Sequence, residues 1–182
     1  MAPRWHRPDW EAFARSVGFS YWASNDMMPA IWDEICVIEG SLSRRPVRAA
    51  AFIQRRRDPK AVVKASLRPL GLTLATAGVG SAIASVFGAQ DVVVGDAAFD
   101  EAVVIKAKEP DRAKGIFLRS DWIRSELTRR AADDVELRIE EAAVVVERRD
   151  VSIASVRAEM EWAASLAAEL ERAAAVSSYR TG

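Results

Sequence analysis

Asp91–Lys108, DVVVGDAAFDEAVVIKAK, sets an apolar run, a polar turn and a second apolar run directly one after another. Val92, Val93 and Val94 are β-branched and suit a pleated surface, whereas Gly95-Asp96 is turn chemistry. Glu101–Lys108 alternates enough to predict a second strand, and Phe99 lies between the two runs. The stretch therefore predicts strand, turn, strand. Phe99 is expected in the core as the anchor of the turn, and Asp100 as a local cap for backbone donors whose change to Asn is mild.

Length and composition bound the rest. At 182 residues, half of them apolar and 29% charged, the chain is long enough to bury a core and is globular in composition. The formal net charge is zero, which removes any whole-protein argument for nucleic acid. Residues 1–90 carry 12 basic against 7 acidic residues, and residues 91–182 carry 14 against 19, so the halves differ by sign. Cys36 is the only cysteine, which excludes an intrachain disulfide and a cysteine-rich zinc site and favours a reducing compartment. The N-terminus, MAPRWHRPDWEAF, has no apolar stretch of signal-peptide length, so a cytoplasmic address is expected.

Gly95-Asp96-Ala97-Ala98-Phe99-Asp100, followed by an apolar strand and an Asp-x-x-Ala helix at Asp111, resembles a segment of uncharacterised bacterial proteins and domains of unknown function. Their pattern reads Gly-Asp-x-x-Phe-Asp-x-x-Phe-x-Val before a helix rich in Leu and Arg. This chain has Val103 at the second Phe and Ile105 at the Val. The resemblance runs over roughly residues 70–148 and implies a fold without an activity.

Elsewhere, periodicity sets the elements. Pro8–Gly18 reads as a helix capped by Asp9, with Trp10, Phe13 and Val17 on one face. Trp5, Trp10, Trp22 and Trp32 read as core or rim residues rather than as a stacking platform. From Ala30 the period becomes two, giving a strand through Ile38 that Gly40 ends, with Cys36 a small buried hydrophobe inside it. Pro46–Arg56 and Ala61–Leu67 form a hairpin. Pro69–Gln90 has no charged residue and is long enough to span a bilayer, but four glycines dilute it. A strand at Leu70–Ala75 and a short helix at Ser81–Phe87 use the same residues without a membrane. Its glycines lack the Gly-Lys-Ser/Thr of a phosphate loop.

Glu109-Pro110-Asp111 starts a helix or broken helix reaching about Arg130, with Ser120-Asp121 as the point where it would break. Val135–Glu140 and Ala142–Val146 form a half-exposed strand or hairpin. Val151–Ala175, capped by Asp150, is the longest helix expected, with Ile153, Val156, Met160, Ala163, Ala167 and Leu170 on its apolar face.

Chemistry is sparse. His6, the one histidine, sits near a chain end, which argues against a triad. Asp91, Asp96, Asp100 and Glu101 do not follow a calcium-loop spacing and read as turn caps, so no metal and no cofactor is expected. The single charge feature above background is nine basic residues between Arg44 and Arg68, offset by Asp58 alone. Within it Arg44, Arg45, Arg48, Arg55, Arg56, Arg57 and Lys60 are the candidate contacts for an anionic partner, the plainer reading being a solvated hairpin face. Alternation gathers these charges at strand ends, as a rim around an apolar patch.

The sequence thus predicts one α+β domain over residues 1–182, with ends fraying near 1–7 and 177–182. A largely antiparallel sheet packs against two longer helices. The favoured function is a non-enzymatic binding or assembly module acting through protein–protein contacts, with a protein partner or a homo-oligomer. An enzyme with carboxylate chemistry, and a protein attached to a membrane through residues 69–90, are the competing classes.

Overall fold

The computed structural model describes residues 7–23, 34–52, 58–77, 89–133 and 135–178. In chain order its elements are α1 (Arg7–Val17), β1 (Ser20–Ala23), β2 (Glu34–Leu42), β3 (Arg45–Phe52), β4 (Lys60–Ser66), β5 (Leu72–Thr76) and β6 (Gln90–Asp91). There follow α2 (Ala97–Ala102), β7 (Val103–Ala107), α3 (Pro110–Leu118), α4 (Asp121–Ala131), β8 (Val135–Glu140), β9 (Ala143–Arg148) and α5 (Ile153–Ser178). The α+β class holds, and every strand pairing of described register is antiparallel. Among the described residues no helix is long and apolar enough to cross a membrane.

The chain divides into two compact units, Met1–Ala65 with Val146–Ala164 and Ser66–Val145 with Ser165–Gly182. The strand order in the first is β1-β2-β3-β4-β9. Its inner face carries Tyr21, Ile38, Ala49 and Val63 in one cross-strand row and Ala23, Cys36, Ala51 and Ala61 in the next. Trp10 of α1 is 1% exposed, and its indole Nε1 donates to the Val151 carbonyl oxygen at 3.1 Å, which satisfies the one polar atom of a buried aromatic. Gly40 does not end β2; the strand runs through it to Leu42. The glycine is required because Phe19 packs over it, where a Cβ would sit inside the ring.

In the second unit the order is β9-β8-β5-β7-β6. Ile139, Leu74 and Ile105 form a buried row across β8, β5 and β7. The helices α2, α3 and α4 lie against β7, and α4 also against β8. Of the helix or broken helix expected as far as Arg130, the broken form is seen, because Ser120 is a cap: its hydroxyl accepts from Ile123 N at 3.4 Å and donates to Glu169 Oε1 at 2.7 Å. Helix α5 carries Val156, Met160, Ala163, Ala167 and Leu170 buried, as the wheel predicts, and extends to Ser178, past the expected fraying point at 177. Its start differs as well. Asp150 accepts from Ser152 N at 2.9 Å before the helix, and Ser152 is the residue whose hydroxyl and carbonyl take the first helical donors, Ser155 N and Val156 N. Burial pushes the Asp150 carboxyl up, but the hydrogen bonds from Ser152 and Ser155, with Arg148 nearby, hold it below its usual value.

The central stretch departs from strand, turn, strand. Only Gln90–Asp91 pairs as a strand, although Val92 N still donates to Ile105 O at 3.0 Å. Ala97–Ala102 is a short helix where the turn and the start of the second strand were expected. Three side chains enforce it. Asp96 caps the helix from Phe99 N at 3.3 Å, and Asp100 turns its carboxylate back to accept from Val94 N at 2.9 Å and Gly95 N at 2.8 Å. Phe99 is fully buried, with its ring centroid 5.4 Å from that of Phe117 on α3. Arg124 of α4 then ties the corner, donating to Asp96 Oδ2, to Asp121 Oδ1 and to the Phe117 carbonyl. The Ser81–Phe87 helix expectation, Trp5, Trp32 and Arg55–Arg57 lie outside the described residues.

Phe99→Ala is expected to cost about 3–5 kcal/mol, the range for deleting a core aromatic. A denaturation midpoint unchanged from the parent would contradict that placement. The structure also revises the expectation for Asp100. Its two oxygens each face a backbone donor, so Asn must turn an NH2 toward one of them. Asp100→Asn should cost about 1–3 kcal/mol in the same urea titration.

Glu169 gives a second prediction. Its carboxylate accepts from Arg172 Nε at 2.7 Å and from the Ser120 hydroxyl. The Arg172 hydrogen bond lowers its pKa most, burial opposes, and Ser120 and the Arg172 charge add, holding it down to about 2 against an ordinary 4.5. A depressed folded-state pKa means stability present above pH 4.5 and lost as pH falls toward 2. Thermal midpoints measured across that window should fall less steeply for Glu169→Gln than for the parent. Parallel curves would show that the network does not couple to folding.

The β2–β3 turn supplies a third. Ser43 (φ 50°) and Arg44 (φ 66°) both sit in the left-handed region, the geometry of a two-residue hairpin turn that favours Asn-Gly. Changing Ser43→Asn together with Arg44→Gly should raise the thermal midpoint, at about 2–4 °C per kcal/mol of strain relieved. A drop would mean that the Arg44 side chain holds the turn.

Candidate functional site

The outer face of the first unit's sheet is ordered in rows. Register places Ser20, Glu39, Arg48 and Lys64 side by side across β1 to β4, and Trp22, Val37, Ala50 and Val62 in the neighbouring row. A third row holds Phe52 and Lys60. An apolar row thus lies between two rows that carry charge. Val37 and Ala50 in its middle are buried, Val62 is half-buried, and Trp22 at its end is 56% exposed. The alternation expected within Pro46–Arg56 is seen as far as Phe52, with Arg48, Ala50 and Phe52 on this face and Val47, Ala49 and Ala51 on the other; the charged end at Arg55–Arg57 lies outside the described residues.

The basic residues do not form one surface. Arg44 is exposed at the tip of the β2–β3 turn, and Arg45 begins β3 opposite Leu42. Arg48 Nε donates to Glu39 Oε1 at 2.9 Å along the first row. Lys60 lies at the far end of the hairpin, with its Nζ 2.7 Å from Glu147 Oε1 on β9 and 5.9 Å from the centre of the Phe52 ring. Lys64 is exposed beside Arg48. Arg148 of β9 pairs with the buried Glu159 of α5 at 2.5 Å, a contact inside the same unit. Sequence counting registered the cations but not their carboxylate partners, Glu39 for Arg48 and, from the later chain, Glu147 for Lys60.

Of the tryptophans read as core or rim residues, Trp10 is buried and Trp22 stands exposed at the end of its row. Its neighbour Tyr21 faces inward, and its hydroxyl is buried with no hydrogen-bond partner among the described residues. Burial raises the Tyr21 pKa, the nearby Cys36 thiol and Glu11 carboxylate add to the shift, and Arg7 opposes. Cys36 is 0% exposed, as a small core hydrophobe should be. The acidic stretch serves structure: Asp96 and Asp100 cap, and Asp91 faces Lys106 at 3.8 Å. Among the described residues no group of three or more His, Cys, Asp or Glu is placed to hold a metal ion. In the second unit Leu118 and Trp122 are exposed on either side of the Ser120 cap, and Val176 is exposed on α5.

No protein-family model matches the chain, and no curated protein matches it in sequence. Among solved structures, the fold is similar to the crystal structure of the mycobacterial trehalose monomycolate transport factor A, TtfA, at a TM-score of 0.57 and 14% identity. The match covers 90% of this chain and 92% of that one, so the likeness extends over nearly the whole fold.

Proposed function

We propose that this chain is a non-enzymatic binding or assembly module that acts through protein–protein contacts, with the outer face of β1–β4 as the contact surface. The observation that carries the reading is Trp22, a large aromatic more than half exposed at the end of an apolar row bordered by charge. Exposed aromatics beside a polar rim are the make-up of an interface centre. Arg44, Arg48 and Lys60 then act as part of the rim around that centre, while alternation along β3 puts Arg45 on the side of Val47 and Ala49. The fold likeness to a protein named as a transport factor agrees with a role in assembly rather than turnover. A cytoplasmic setting fits the single buried cysteine.

Replacing Trp22 with a photoreactive benzoylphenylalanine in living cells tests this reading. Irradiation should yield a discrete protein adduct, absent when the same group replaces Trp122, which is exposed in the other unit. No adduct at position 22, or the same adducts from both positions, would overturn it.

A further inference from the structure

We infer that the turn between α3 and α4 is a docking site for an anionic lipid surface. The site is separate from the β1–β4 face and does not depend on it. The chain is described without a break from 89 to 133, so the turn and both helices that carry it are seen whole. Leu118 ends α3 and Trp122 lies in the first turn of α4, and they are 53% and 42% exposed although Phe117 and Ile123 beside them are fully buried. The turn projects from its unit: the Asp121 side chain is 92% exposed. Ser120 holds it in place, capping α4 and donating to Glu169 on α5.

Charge and size select the occupant. The carboxylates nearest the turn are matched, Asp121 with Arg124, Glu169 with Arg172 and Glu109 with Arg112. Lys114 and Arg119 have no carboxylate partner among the described residues. Arg119 folds its guanidinium back over Gly115, 3.2 Å from where a Cβ would stand, which brings it toward Lys114. Asp111, in the first turn of α3, lies about 10 Å along the axis from Leu118. The turn thus presents two apolar side chains beside an excess of positive charge, which favours an anionic partner. A half-exposed Leu and Trp offer about 200 Å² of apolar surface, whereas a specific protein interface takes roughly 800 Å² from each partner. Arg119 and Asp121 stand between the two in the chain, and a protein covering both apolar residues would strip water from those charges. A headgroup layer takes in the indole and the Leu side chain while the charged groups stay hydrated, as Trp and long basic side chains do at a bilayer boundary. Such attachment needs no spanning helix, and the cytoplasmic leaflet carries the matching negative charge.

Cosedimentation of the full chain with vesicles tests this, using phosphatidylcholine alone and phosphatidylcholine mixed with phosphatidylglycerol. The mixed vesicles are expected to bind the chain, more weakly at high salt, and the neutral ones to bind it less. Lys114→Ser and Arg119→Ser should each lower the partition coefficient on mixed vesicles by about fivefold, the effect of one cation near such a surface. Trp122→Ser should lower it by about tenfold or more, and Leu118→Ser makes the same test should the first variant fold poorly. Val17→Ser, at an exposed apolar residue of the first unit, should leave it unchanged. No binding to mixed vesicles, equal binding to both kinds, or binding indifferent to both apolar substitutions would overturn the inference. A discrete protein adduct from benzoylphenylalanine at position 122, in place of vesicle binding, would assign the turn to a protein instead.

Discussion

Two backbone N–H groups, those of Val94 and Gly95, have no strand to donate to, and the Asp100 carboxylate accepts both. Much of the second unit hangs on that capture. With those donors satisfied from within six residues, the chain leaves β6 after two residues, starts α2 on the Asp96 cap and drops Phe99 against Phe117. Gly95 permits the bend, since its φ of +97° is one that an L side chain rarely adopts. Arg124 then links the α2 cap to the start of α4 and the end of α3. A charged hydrogen bond of this kind contributes more than a neutral one, and leaving the N–H of the buried Val94 unmet would cost comparably.

That corner also shows how far sequence reasoning reached and where it stopped. Phe99 in the core and Asp100 on backbone donors were legible, because a lone aromatic and an acid in a Gly-Asp turn have few other uses. The helix at Ala97–Ala102 was not, since six residues carry too little periodicity to separate a turn of helix from the end of a strand. The hairpins β3–β4 and β8–β9 and the long α5 were legible from period alone, and their ends moved by a few residues. Gly40 was misread for a physical reason: a glycine inside a strand marks either an end or a close approach, and only the position of Phe19 distinguishes them.

The candidate face was half legible. Alternation correctly put Arg48, Ala50 and Phe52 on one side of β3, which fixed an apolar strip with charge at its ends. Nothing local showed that Trp22 closes that strip, because the β1–β2 register is a long-range fact. Nor did counting reveal the compensation. The contrast between a basic first half and an acidic second half shrinks once the chain is divided as it folds, since the net-acidic segment Val146–Ala164 returns to the first unit and brings Glu147 to Lys60.

That compensation changes what the surface is suited to recognise. An exposed ion pair such as Arg48–Glu39 contributes little to stability, on the order of 0–1 kcal/mol, but it removes the field that an unpaired cation would project toward an anionic partner. Nine basic residues in the sequence therefore do not make nine handles. On the proposed contact face, selectivity would then pass to the features that carry no charge: the exposed indole of Trp22 and the apolar row of Val37, Ala50 and Val62 beside it. The proposed contact would therefore discriminate by how side chains fit around Trp22, with screening by salt a minor influence.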